Sequence, residues 1–200
     1  MVFPRNGRRL ELPSRTTLEK QAAFEAVYGY LRARPEEGLQ AVADLAIQAG
    51  VSPSRLTTEC CLCWDEVQTL AREPEVSIGA HTLSHPILAK CQATSAAHQI
   101  AESKSLLERR LGRPVGHLAY PFGDPSAVGV RECQLARQAG YATAVISRPG
   151  HVFPAHLAHL HALPRVSING SFQDTKTLRA LLSGVPFWIR NRGRIVTIDR

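Results

Sequence analysis

The amino-acid sequence predicts an α/β fold with a largely parallel sheet or barrel, and three observations carry that expectation. Short β-prone stretches alternate with amphipathic helical stretches from about residue 64 onward, the pattern of consecutive βα units. Two segments rich in chemistry-bearing residues, around His81 and Pro121, follow such stretches, where a parallel sheet gathers its active residues. With 200 residues, 44% of them hydrophobic and 20% charged, the chain can bury a core and does not match a disordered segment.

Taken in order, the chain opens with a basic, turn-rich segment through Pro13 that shows little periodicity and is expected to be poorly ordered. Thr16-Thr-Leu-Glu19 reads as a capping box, and Phe24, Val27, Tyr28 and Leu31 recur at helical spacing until Arg34-Pro35 ends the run. A second helix is expected over residues 36–49, with Leu39, Val42, Ala43 and Ala46 on one face and Gly50 as its stop. These helices read as scaffold, so residues 1–63 form an N-terminal helical segment ahead of a second part spanning 64–200. That second part should hold a short helix at 64–72, a strand at Val76 and Ile78, and a helix at 95–111 closed by Gly112 and Pro114. A strand at 115–120, a helix at 126–139 and a β-rich segment at 141–147 follow. A strand at 163–169, a helix at 172–182 and a terminal strand at 195–198 complete the expectation.

The net charge of +7 comes from arginines spread along the chain, with a local cluster at Arg190, Arg192 and Arg194. A nucleic-acid binder is expected to pack its basic residues into a stripe with interleaved aromatics, so the pattern argues against that class. Cys60, Cys61, Cys63, Cys91 and Cys133 make a poor disulfide framework and offer no second pair downstream of the cluster at 60–63; buried or incidental reduced thiols are expected. No stretch approaches the length of a transmembrane helix and none reads as a secretory leader, from which no membrane partner and a cytoplasmic setting are expected.

Chemistry concentrates in Val76-Ser-Ile-Gly-Ala-His-Thr-Leu-Ser-His-Pro86. Gly79 lets the backbone pass closely, and Pro86 disfavours helical dihedrals at His85, so the HxxxH pair reads as one turn at a strand's end. Such a turn brings both imidazoles to one side, where they suit zinc or another divalent transition metal. Two loop histidines bonded to backbone are the alternative that spacing alone leaves open. Pro121-Phe-Gly-Asp-Pro125 is a turn-rich corner whose backbone amides can point at a ligand.

Ile78-Gly-Ala-His-Thr-Leu-Ser-His-Pro86, then Leu118-Ala-Tyr-Pro-Phe-Gly-Asp124, then Arg131-Glu132 and Gly140-Tyr-Ala-Thr-Ala144 together resemble the polysaccharide deacetylase family with the NodB-type domain. The resemblance covers residues 64–169 and is nearest to the rhizobial chitooligosaccharide deacetylase branch. It implies an irregular (β/α) barrel, here partial and lacking its first strands. The implied reaction removes the N-acetyl group from an N-acetylglucosamine unit of an oligo- or polysaccharide with a divalent metal, most often zinc. By the same resemblance His81 and His85 are metal ligands and Thr82 steadies their loop. Tyr120 and Pro121 meet the substrate, and the backbone N–H of Phe122 stabilises the oxyanion.

The family's T-F-D-D motif, source of the general base and of an aspartate ligand, has no counterpart in these residues. The resemblance therefore implies a general base outside the chain, a truncated or split domain, and dependence on an N-terminal segment or companion chain. The arginine that supports the base would fall at Leu118 or Ala119. The L-x-H motif with the general-acid histidine finds a partial match in Leu157-Ala-His159, while His156, His159 and His161 are expected on a solvated loop. Asp65, Asp124 and Asp174 are the nearest carboxylates by motif position, and none is placed as the third ligand. A catalytically inactive carbohydrate-binding or structural remnant, and a basic nucleic-acid-binding protein, are the competing classes.

Overall fold

The computed structural model describes residues 2–5, 8–168, 170 and 173–198, with side chains from residue 11 onward except 35–39. The chain divides into two compact units, Met1–Val67 and Gln68–Arg200.

The first unit opens with β1 (Val2–Arg5) and β2 (Arg8–Glu11), an antiparallel pair with Val2 opposite Glu11 and Arg5 opposite Arg8. Regular structure thus replaces the poorly ordered opening expected. Asn6-Gly7, which joins the strands, lies outside the described residues, but its sequence is the strongest short-range hairpin signal. Helix α1 (Thr17–Ala33) starts on the anticipated capping box: Glu19 N donates to Thr16 Oγ1 at 3.2 Å and Thr16 N to Glu19 Oε2 at 3.0 Å. In α2 (Pro35–Gln48) the buried stripe runs through Ala41 and Leu45, which pack with Tyr30, Val27 and Leu31. Val42, expected on that face, is half exposed, and Leu39 lies outside the described side chains. Helix α3 (Pro53–Cys60) was not expected, although Ser52 Oγ caps Arg55 N at 3.3 Å and Pro53 takes the first turn. Cys60, Cys61 and Cys63 are exposed rather than buried, because the short α3 ends among them at the surface. Helix α4 (Trp64–Arg72) follows as anticipated.

The second unit runs α5 (Ala93–Leu111), β3 (His117–Ala119), α6 (Val130–Gln138), β4 (Thr143–Pro149), β5 (Leu163–Arg165), α7 (Thr175–Leu182) and α8 (Val185–Arg190). Its sheet has the order β3-β4-β5, parallel throughout, with Leu118 beside Ala144 and Val145 beside Leu163. Ala80 adds one parallel bridge to the outer edge of β3, through Ala80 N to His117 O at 2.8 Å and Ala119 N to Ala80 O at 2.9 Å. The strand expected at Val76 and Ile78 is therefore a single bridge residue. Gly79 allows even this, since a Cβ there would lie 3.2 Å from His117 O. The result is an open parallel sheet, the partial-barrel arrangement anticipated from the sequence.

One apolar core holds the unit together. Leu118, Tyr120, Ala144 and Ile146 from the sheet region meet Ala96 and Ile100 of α5, Ala136 of α6, and the buried Leu88 and Val128. Each large side chain fully withdrawn from water contributes about 1.5–3 kcal/mol. Tyr141 ties α5 to the sheet by donating its hydroxyl to Ile100 O at 3.0 Å. Helix α6 begins four residues later than anticipated because Asp124 Oδ1 accepts from Ser126 N at 2.8 Å and Ser126 Oγ at 2.6 Å, folding the chain into a turn first. Helix α7 starts at the cap Asp174, whose Oδ1 accepts from Thr177 N at 2.8 Å; Phe172, its expected start, and Asn169, the expected end of β5's segment, lie outside the described residues. Residues 195–198 pair with no strand among the described residues. Instead Val196 and Ile198 pack on the core as irregular chain.

Candidate functional site

His81 leaves the sheet directly after the Ala80 bridge, so it stands at the carboxyl end of the parallel strands. Its Nδ1 lies 2.6 Å from Ala119 O. A carbonyl only accepts, so Nδ1 donates the bond, which in the neutral ring leaves the lone pair on Nε2. Thr82 then turns the backbone left-handed at φ 65°, and His85 does so again at φ 55°. Thr82 Oγ1 accepts from His85 N at 3.2 Å, the loop-steadying contact that the resemblance implied. Both rings are exposed and edge-on, with centroids 4.8 Å apart. Partial desolvation, then the neighbouring His81, hold the His85 imidazole below its ordinary pKa and favour its neutral, ligating form.

Two anchors fix this loop, a role that sequence reasoning assigned to neither. Gln99 of α5 accepts from Leu83 N and Ser84 N at 3.0 Å each and donates to Ser84 Oγ at 2.9 Å. Arg131 donates to Leu88 O at 2.7 Å, while Glu132 Oε1 accepts from Arg131 Nε at 2.7 Å and Oε2 from Gly129 N at 2.8 Å. Buried Ile87 and Leu88 then hold the loop's exit in the core. No local pattern in the sequence marks Gln99, because its partners lie 15 and 16 residues away.

The second loop leaves the carboxyl end of β3. Gly123 N donates back to Pro121 O at 2.7 Å, closing a γ-turn centred on Phe122 at φ 61°, a conformation that costs a non-glycine residue energy. Ser147 of β4 holds the turn by donating Oγ to Phe122 O, and its N–H donates to Gly123 O at 2.9 Å. Gly123 is required twice over: its φ is +67°, and a Cβ there would sit 2.6 Å from Ser147 N. The Phe122 ring meets the His85 ring with centroids 4.9 Å apart, so the two loops join into one site.

Other anticipated site residues lie elsewhere. Tyr120 and Pro121 are fully buried, and Tyr120 donates its hydroxyl to His161 O at 2.9 Å, with burial raising its pKa; both position the turn from beneath rather than touch a substrate. His159 sits in a 3₁₀ turn that precedes β5 and thus flanks the amino ends of the strands, where Leu160 O accepts from Ala144 N at 2.9 Å and His161 Nε2 lies 2.8 Å from Tyr141 O. Parallel topology puts that turn at the edge of the sheet opposite His81, against a general-acid role. His156 is buried rather than solvated, its Nδ1 accepting from Phe153 N at 3.0 Å and its Nε2 facing Val196 O at 2.9 Å. Asp124 and Asp174 are engaged in turn and cap bonds.

As metal donors the two imidazoles suit a divalent transition metal, and the fixed tautomer of His81 presents the right nitrogen. A catalytic zinc takes three protein ligands, however, and among the described residues no third His, Cys, Asp or Glu joins the pair. The donor set present thus supplies two of the three protein ligands that such a metal takes.

A parallel βα sheet that collects imidazoles and a strained backbone turn at the carboxyl ends of its strands has the architecture of an α/β enzyme site. The chain belongs to the polysaccharide deacetylase family, whose model matches residues 22–144. That span begins earlier, in α1, and ends sooner, in β4, than the resemblance over 64–169 read from the motifs. Among solved structures, a Streptococcus pyogenes deacetylase, PplD, in complex with acetate superposes with a TM-score of 0.55 at 22% identity, over 63% of this chain and 54% of that one. A polysaccharide deacetylase from Bacillus cereus superposes with a TM-score of 0.53 at 23% identity, over 60% of this chain and 36% of that one. The chain thus spans about half the length of the first and about a third of the second. No curated protein matches the chain at a significant level.

Proposed function

We propose that this chain carries the carbonyl-activating part of a metal-dependent de-N-acetylase acting on N-acetylglucosamine units of an oligo- or polysaccharide. The observation that supports this reading is the convergence of His81, His85 and Phe122, with ring centroids 4.8 and 4.9 Å apart at the carboxyl edge of a parallel sheet. His81 and His85 would hold a divalent metal, zinc by the softness of imidazole donors, which supplies Lewis acidity toward an acetyl carbonyl. The Phe122 turn, pinned by Ser147 and Gly123, offers a backbone amide of fixed direction for charge that develops only in the transition state. The general base and the carboxylate ligand come from outside the described residues, in an N-terminal segment or companion chain bearing T-F-D-D.

The test is acetate release from N-acetylglucosamine oligomers with zinc present. The 200-residue chain alone is expected to release little, since a positioned base contributes ~10²–10⁴-fold in rate. Adding a segment bearing T-F-D-D should raise turnover and zinc affinity together, and His81→Ala should abolish both. Turnover by the chain alone that His81→Ala removes would refute the external base. A second reading, an inactive glycan-binding remnant, draws on the missing third ligand among the described residues and expects binding without turnover even after the segment is supplied.

A further inference from the structure

Beyond the Phe122 turn, the chain walls a groove that neither histidine enters. Asp124 and Pro125, directly after the turn, line a hollow of about 550 Å³ together with Ser147, Arg190 and Arg194. Asn191, Arg194, Ile195 and Val196 also line a second hollow of about 350 Å³, whose far wall is Phe153, Phe187 and Trp188. The two hollows therefore adjoin across a shared wall, and their volumes fall in the ~300–1,000 Å³ range of small-molecule sites.

The walls have opposite characters. Arg190 and Arg194 are exposed and present planar guanidinium forks suited to carboxylate, sulfate or phosphate oxygens. Trp188 is 64% exposed, a large indole that a soluble protein gains nothing by leaving in water. It is also held in place: a Cβ on Gly193 would stand 3.4 Å from its Nε1, so the chain packs directly against the indole. The neighbouring aromatic wall is fixed by the His151 ring, 5.6 Å from the Phe187 ring, with His151 Nε2 2.9 Å from Leu181 O. An aromatic face matches the C–H face of a pyranose, and the arginines match an anionic substituent on the adjoining unit.

We propose that this groove is an extended subsite for an anionic glycan, taking sugar residues that flank the unit at His81 and Phe122 and selecting chains with acidic substituents. The proposal rests on the de-N-acetylase reading for its substrate class and on the groove itself for the charge preference. Continuity with the Phe122 turn and charge complementarity identify the occupant.

Calorimetric titration of the full chain tests it with two tetrasaccharides, neutral tetra-N-acetylglucosamine and a tetramer alternating N-acetylglucosamine with glucuronic acid. The acidic tetramer should bind roughly tenfold more tightly at low salt, two exposed charge pairs being worth about that factor, and the preference should shrink as salt rises. Arg190→Ala/Arg194→Ala should erase the preference while leaving neutral binding, and Trp188→Ala should weaken both ligands. Arg190→Lys/Arg194→Lys, which keeps both charges in water, should retain part of the preference and guards against misfolding of the alanine variant. Equal affinity for the two tetramers, or a preference untouched by the arginine variants, would overturn the proposal. So would tighter binding of a random-sequence DNA duplex that the same variants abolish. His81→Ala separates the two readings: zinc binding, and the acetate release gained when a segment bearing T-F-D-D is added, would vanish with it, whereas the groove's charge preference should persist.

Discussion

Replacing Gly123 by alanine tests whether the Phe122 turn is built as described. The backbone at Gly123 is left-handed at φ +67°, which costs an L-residue about 1–2 kcal/mol. The new Cβ would also stand 2.6 Å from Ser147 N, a backbone atom that cannot rotate away. Relief requires β4 and the turn to separate, loosening the Ser147 N–H to Gly123 O bond and the Ser147 Oγ to Phe122 O bond, each worth about 1 kcal/mol net. The expected total is about 3 kcal/mol. Gly140 supplies the control: its φ is +76°, yet a Cβ there meets nothing within 4 Å, so Gly140→Ala should cost about 1 kcal/mol from dihedral strain alone. Urea unfolding followed by tryptophan fluorescence measures both variants, and the gap between them isolates the collision from the strain. Equal losses would refute the close approach of turn and strand, and with it the argument that Ser147 fixes the Phe122 amide.

Three further expectations are measurable in the same way. Gln99→Ala removes the acceptor shared by Leu83 N and Ser84 N; it should cost about 1–2 kcal/mol and weaken zinc or cobalt binding at His81 and His85, read by calorimetry against the unaltered chain. Tyr120→Phe leaves His161 O without its buried donor, and a loss of about 1 kcal/mol with no change in metal affinity is expected, since the hydroxyl lies in the core and not at the site. The third concerns pH: the folded chain holds His85 below the ordinary value of 6.5, so the unfolded chain takes up its proton first. The stability from the neutral imidazole is full above pH 6.5 and is lost as pH falls through it toward the lower folded value. Urea midpoints at pH ~8 and ~5.5 should show this decline, and His85→Asn, which tolerates the left-handed backbone, should flatten it.

Local signals decided much of this protein before any packing was known. The capping box at Thr16, the apolar spacing of α5 with its glycine stop, and the Pro86 restriction on His85 each act within one turn of chain, and each appears as the sequence implies. The alternation of β and α stretches implied a parallel sheet, and the HxxxH and Pro-aromatic motifs at strand ends pointed to the family and to the candidate site. What the sequence did not determine was decided by contacts between distant residues. The strand at Val76 and Ile78 shrank to the one bridge that Ala80 makes with β3 through His117 O and Ala119 N. The expected strand at 195–198 stayed irregular because its backbone bonds His156 instead of a neighbouring strand. Likewise Tyr120 looks from its motif like a substrate contact, yet tertiary packing buries it on His161 O, and parallel topology carries His159 to the opposite edge. Gln99, Ser147 and Gly123 become positioning residues only when α5 and β4 are laid beside the loops they hold, since hydrogen bonds across 15 to 25 residues leave no periodic trace in a sequence.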